Sequence, residues 1–197
     1  MASRPEDGRI VSGLFLNPVL LHYPVEDRDG NEITAAVTNL DLHDLARIAI
    51  TYQTGDVWVV TPVVEQQQLV KKIIEHWTSG IGARRNPDRK LAFAKLRLAG
   101  SLAEVAEKVH ADADLPVFTV STSARKTGGE MSFGDLHGRL NQSRERCLLL
   151  FGTAWGISRK LQQQVDCRLE PVQAGAGYNH LPVRAAAAIT IDRLLGR

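Results

Sequence analysis

Short runs of continuous apolar residues alternate along this chain with longer stretches whose apolar positions recur every three or four residues. The segments 14–23, 56–61, 116–120, 147–151 and 166–169 have the length of strands, and the composition of 56–61 and 147–151 suits burial on both faces. The Asn17-Pro18 pair interrupts the first of them and predicts an irregular start or an edge position. Asp29-Gly30 marks a turn between two extended pieces. Helical spacing covers 39–52, where Leu42, Leu45, Ile48 and Ala49 make one apolar stripe and Asp41 is an N-cap or first-turn acid. Further helices are expected at 65–78, at 133–142, and at 101–111, where Ser101 and Glu104 have capping-box spacing. Residues 79–87 read as a loop carrying two arginines, and Pro87-Asp88 opens a helical turn towards Lys95. An alanine-rich helix closes the chain. Strand and helix in repeated alternation predict an α/β fold, a mostly parallel sheet with helices on both faces.

Composition narrows this picture little. At 197 residues, 44% hydrophobic and 23% charged, the chain suits one folded domain, expected over 13–197 after a polar tail at 1–12. A formal net charge of +2 means that any affinity for nucleic acid must come from local basic patches. Cys147 and Cys167 have no zinc-ligand spacing and read as buried free thiols, so no metal site is expected. The first residues lack the apolar core of a signal peptide, and no window reaches the length of a membrane helix. A cytosolic protein is the expectation.

Candidate chemistry gathers near the C-terminus. The sequence CLLLFGTAWGIS, at 147–158, is a buried strand running into a glycine loop. A second strand and a longer glycine-rich loop follow, tipping directly into the last helix. Ligands of open α/β sheets bind beyond the carboxyl ends of strands, where Gly152 and Gly156 permit close backbone approach. Thr153 adds a hydroxyl, and Trp155 either packs over the loop or stacks on a flat ligand. Tight strand-to-helix turns, with glycines for geometry only, account for the same spacing equally well. A dinucleotide fingerprint at Gly175 and Gly177 fails because His180 stands where a third glycine is needed. No Walker loop, HExxH or GxSxG is present.

The segments LLHYPV, ITAAVTNLDLHDLAR, HWTSGIGARRNP and FGTAWGI, with the block LEPVQAGAGYNHLPVRAAAAITIDRL, resemble the SPOUT class of SAM-dependent RNA methyltransferases, in particular small bacterial members related to TrmD. The likeness covers residues 15–196, and YNHLPVRAAAAI is its most distinctive part. It implies a C-terminal deep trefoil knot, a homodimer, and S-adenosylmethionine bound against three knot loops. Mapped here, those loops carry Gly152, Thr153, Trp155, Gly156 and Ile157; then Leu169, Glu170, Pro171 and Val172, running to position 174; then Tyr178, Asn179, His180, Leu181 and Val183. In the ribose-methylating branch an arginine of the first motif does the central work, which points to Arg47, with Asn39, His43 and Asp44 nearby. An Asp44–Arg47 surface pair is the plain alternative. The TrmD branch carries a catalytic Asp before the last helix, but residues 171–181 contain none. His180 could take up a proton there, or Asn179 could simply cap the helix. Arg184 could pair with Glu170 or reach a phosphate.

For RNA, Arg84, Arg85 and Arg89 form a basic cluster with Lys71, Lys72, His76 and Lys90, beside Trp77 as an exposed aromatic, and Arg125 and Lys126 sit in a Ser/Thr-rich loop. A solvated helix face explains the lysines as well. The expected function is methyl transfer from S-adenosylmethionine to tRNA or rRNA. The alternatives are a non-catalytic SAM-binding RNA-binding or assembly factor and, with less support from the basic loop, a small-molecule methyltransferase.

Overall fold

Apolar runs buried on both faces become the central strands, as their composition requires. In the computed structural model, which describes residues 15–173 and 177–196, six parallel strands lie in the order β5-β4-β1-β7-β6-β8. These are β1 (Leu16–Leu21), β4 (Val57–Val60), β5 (Leu96–Ala99), β6 (Val117–Ser121), β7 (Arg146–Gly152) and β8 (Cys167–Arg168). A small antiparallel hairpin, β2 (Val25–Glu26) and β3 (Glu32–Ile33), follows β1 and turns through Asp29-Gly30 as expected. The expected N-terminal tail lies outside the described residues.

Alternation along the strands divides two apolar layers. Leu16, Leu20, Val57, Val59, Leu149 and Phe151 face α1 (Asn39–Thr51), α2 (Val64–Thr78), α4 (Pro87–Phe93), α6 (Phe133–Gln142) and α8 (Val183–Leu195). Val19, Leu21, Trp58, Val60, Leu148 and Leu150 face α5 (Leu102–Ala113), together with Val25 from the hairpin and Ile157 from the loop after β7. Helices cover both faces, unequally. Two short helices, α3 (Ile81–Arg85) and α7 (Arg159–Gln162), complete the described set.

Two expectations need correction, and an alternative left open at Asp41 is decided. β1 is central, not at an edge: it pairs with β7 from Leu16 but with β4 only from Val19, so Pro18, which has no N–H, precedes the start of that ladder. Residues 81–85 are helical, because Gly82 fits beneath the His76 and Trp77 rings, where a Cβ would come within 2.8 Å of both. The N-cap of α1 is Thr38, whose Oγ1 accepts from the Asp41 amide at 3.2 Å, leaving Asp41 as the first-turn acid.

Candidate functional site

The strand order reverses between β1 and β7: the chain runs outward through β4 and β5, then crosses to β6 and β7 on the other side. Ligand sites of open α/β sheets lie at such switch points. A cleft of about 1440 Å³ opens there, beyond the carboxyl ends of β7, β6 and β8. Loop 152–157 forms one wall, Glu170 and Val172 the second, and residues 177–183 the third. Thr38 and Asp41 from the start of α1 and Thr122 to Arg125 after β6 complete it.

Loop 152–157 is held mostly by main-chain bonds, with the Thr153 hydroxyl donating to Leu21 O at 3.0 Å and Gln162 Nε2 to Ile157 O at 2.8 Å. Thr153 N donates to Leu21 O (3.2 Å), Trp155 N to Glu26 O (3.1 Å) and Gly156 N to Thr153 O (3.0 Å), while Gly156 O accepts from Glu26 N (2.9 Å). The hairpin therefore latches the loop, and the Glu26 carboxylate, nearly buried, accepts from Arg159 N at 2.8 Å. These amides are satisfied within the protein. Gly152 is required by packing: a Cβ there would lie 2.5 Å from Ile157 N. Gly156 is required by conformation, at φ +111°, and its missing Cβ faces open space.

The second wall has a buried part and an open part. Leu169 and Pro171 are buried and do not line the cleft; Leu169 N donates to Ser121 O at 2.9 Å. Glu170 and Val172 do line it, and Glu170 Oε1 accepts from Phe133 N (2.8 Å) at the start of α6. Residues 174–176, which include Gly175 and the end of this expected loop, lie outside the described residues.

Side chains hold the third wall. Asn179 is not the cap of α8; Pro182 occupies that position, and Asn179 Nδ2 donates to Ala124 O at 2.9 Å, tying the wall to the loop after β6. Arg184 does not meet Glu170. Its Nε lies 3.3 Å from Asp41 Oδ1 and its Nη1 2.9 Å from Asp44 Oδ2, a fork that joins α8 to α1. Asp44 is thereby taken from the expected pairing with Arg47. Tyr178, His180 and Leu181 are exposed at the mouth of the cleft. No pattern in the sequence signalled Glu26, Thr38 or Arg168 as wall residues, because their place depends on how the loops dock.

His22, the residue that follows β1, is fully buried. Burial holds its pKa down to about 4, the nearby Asp41 carboxylate and the Ala36 backbone offsetting part of that effect.

Arg47 and Asn39 are exposed on α1 and do not line this cleft. His43 is packed edge-on against Phe93 and Trp77, at centroid distances of 4.6 and 5.3 Å, and its ring meets the Arg89 guanidinium. Burial, then the Arg89 and Arg47 charges, lower its pKa. Trp77 is half-buried against the core and carries Arg89 over its ring at 5.2 Å, so it is a packing residue and not the exposed aromatic expected. Arg84 and Arg85 are exposed on α3, without an ion-pair partner among the described residues. Arg125 lines the cleft, with Lys126 exposed beside it. Cys147 is buried and Cys167 half-buried; both are free thiols. Among the described residues no cluster of His, Cys, Asp or Glu has the make-up of a metal site, and no helix is long and apolar enough to cross a membrane.

Comparison with known proteins places this geometry. The sequence profile of a family described as SAM-dependent RNA methyltransferase matches residues 16–196. A tRNA (guanine-N(1)-)-methyltransferase of Oleidesulfovibrio alaskensis is 36% identical over 184 residues, 93% of this chain and 43% of that protein. One from Nitratidesulfovibrio vulgaris is 37% identical, with the same 93% and 43% coverage. The chain thus spans less than half the length of these two relatives. An uncharacterized protein of Aquifex aeolicus is 35% identical over 90% of this chain and 87% of its own length. Among solved structures, a putative methylase family protein from Neisseria gonorrhoeae has a TM-score of 0.61 at 15% identity, covering 100% of this chain and 86% of that one. The SpoU methyltransferase AviRb of Streptomyces viridochromogenes, solved with AdoMet, has a TM-score of 0.58 at 19% identity, covering 99% of this chain and 65% of that one. At such identities the structural likeness speaks for the fold alone.

Proposed function

This chain belongs to the family of SAM-dependent RNA methyltransferases, and from that premise we propose that it transfers a methyl group from S-adenosylmethionine to a nucleotide of tRNA or rRNA. The observation that carries the reading is convergence: three segments separated in sequence meet in one cleft at the reversal of strand order. The cleft suits the cofactor. Val172, Leu181 and Val183 offer apolar surface above the buried Ile157, and Gly156 leaves backbone bare. Thr122 and Thr153 add hydroxyl oxygens whose protons are already donated to Leu150 O and Leu21 O. Adenosine is proposed to lie against 152–157, Glu170–Val172 and 178–183, with Leu169 and Pro171 supporting from below. Bound S-adenosylmethionine supplies an electrophilic methyl group, so the chain must orient the nucleophile and accept its proton. His180, exposed at the mouth, is the proposed acceptor.

Arg47 and Asn39 stand outside the cleft of their own chain, and a homodimer is proposed to bring them to the site of the second subunit. Leu40 and Ile50, exposed at 62% and 39% on the helix that carries Arg47, support such a contact. Arg84, Arg85, Arg89, Arg125 and Lys126 are the proposed phosphate contacts, with Arg89 the least free because of His43. The likeness to the SPOUT class supports a trefoil knot at the C-terminal end of a single domain over 13–197, in a cytosolic protein.

A second reading, a cofactor-binding RNA assembly factor without transfer, draws on the same displacement of Arg47. The test pairs calorimetric titration of S-adenosylmethionine with incorporation of labelled methyl into bulk tRNA and rRNA. Transfer lost in Arg47→Ala, with cofactor affinity kept, supports the enzyme. Cofactor binding without transfer to any RNA fraction would favour the assembly factor.

A further inference from the structure

Three rings meet at the mouth of the cleft and present themselves to solvent. Trp155, on the first loop, is 51% exposed, and its ring centroid lies 6.3 Å from that of His180. Tyr178 is 78% exposed, 5.0 Å from the same imidazole. The other two tryptophans are used differently: Trp58 is 4% exposed, and Trp77 packs against the core. Large aromatic surface left in water at a cleft marks a binding surface more often than a packing accident. Nothing in the packing of loop 152–157 requires the Trp155 ring, because main-chain bonds to the hairpin already hold that loop.

We propose that the rings of Trp155, His180 and Tyr178 form a stacking platform for unpaired RNA bases, so that the substrate offers a single-stranded loop and not a duplex at this site. The inference rests on the methyl-transfer reading and assigns the outward rings of two cofactor loops to the RNA, while their backbones remain with the cofactor. Size leaves room for both ligands: the cleft measures about 1440 Å³, against roughly 300–1,000 Å³ for sites holding one drug-sized molecule. Charge fits as well. Arg125 lines the same cleft, exposed, and its guanidinium has no partner among the described residues. Arg159, also lining it, has a side chain 76% exposed and only a 3.8 Å contact to Glu26. Arginines beside exposed rings are what single strands require, phosphate on one side and base faces on the other. A base inside a helix has both faces covered by its neighbours and cannot offer one to Trp155.

Trp155 gives a direct signal, since it is the tryptophan most open to solvent. The experiment titrates the full chain with short oligoadenylate, following tryptophan quenching and fluorescence anisotropy. The same strand paired to oligouridylate is the control, and S-adenosylmethionine affinity is measured by calorimetry on every variant. Oligoadenylate should quench the protein and bind more tightly than the duplex. Trp155→Ala and Tyr178→Ala should each weaken that binding by about tenfold, more than either weakens cofactor binding, and Trp155→Phe should restore most of it. Equal affinity for single strand and duplex, or unchanged oligoadenylate binding in both alanine variants, would overturn the platform. So would a loss falling mainly on the cofactor, which would return the rings to S-adenosylmethionine. Oligoadenylate binding through the rings in a protein that binds no cofactor would keep the platform and sink the methyl-transfer reading instead.

Discussion

The first and third walls of the cleft are built on opposite principles. Loop 152–157 is fixed mainly by backbone: its amides and carbonyls bond to β1, to the hairpin and to one another, Thr153 Oγ1 and Gln162 Nε2 add two side-chain bonds, and Gly152 leaves no space for a side chain. Residues 177–183 are fixed by side chains, through Asn179 to Ala124 and through Arg184 to Asp41 and Asp44. A wall of main-chain bonds tolerates most substitutions except at its glycines. A wall of side-chain bonds can be loosened one contact at a time, which suits the proposed entry of RNA at this side of the cleft.

The contrast can be tested from its strongest element downward. Gly152→Val should unseat the first loop and cost about 3 kcal/mol of stability, the upper end for overpacking, abolishing cofactor binding in the same variant. Urea midpoints near those of the native chain would show that the loop yields more readily than its packing implies.

The buried histidine after β1 offers a test through pH. Its folded pKa is about 4 against an ordinary 6.5, so between those values the unfolded chain holds more protons than the folded one. Its contribution is therefore complete above pH 6.5, declines as pH falls towards 4 and is flat below, amounting to about 3 kcal/mol at 1.36 kcal/mol per pKa unit. His22→Leu should flatten that acid limb in denaturant midpoints measured across the window. An identical limb in the variant would assign it to other groups.

The third wall should respond more gently. Arg184→Ala leaves the Asp41 carboxylate with Thr38 as its remaining partner and should cost about 1–2 kcal/mol in stability. Cofactor affinity should fall with it, and Arg184→Lys should recover only part, since one ammonium cannot span both carboxylates. Asn179→Ala should cost about 1 kcal/mol of binding and almost none of stability, because the lost bond is exposed. Equal effects on stability and binding there would erase the distinction between the two walls.

Much of the fold was legible because burial writes itself into composition. Residues 133–142 read as a helix and are one, and Cys147 to Phe151 lie inside β7. β5 was not legible: Leu-Arg-Leu-Ala follows a helix after only two residues and leaves Arg97 exposed at the sheet edge, so it shows neither a long run nor a helical stripe. α7, at four residues, is too short for any period. At the site, the glycines announced the first wall, since tight turns demand a particular residue. Arg184 and its two acids did not, because a pair formed across 140 positions has no signature in either local sequence. The Trp77 and His43 rings misled for a related reason: a half-buried aromatic and an exposed one are spelled alike.

The fork from Arg184 to α1 also has a consequence in time. The amino-terminal part of the cleft, Glu26 to Asp41, leaves the ribosome long before α8, and the third wall and its tie arrive with residues 177–195. A nascent or prematurely ended chain therefore lacks a complete cleft, however well its earlier strands have paired. A cleft closed by all three walls thus reports that synthesis has passed α8.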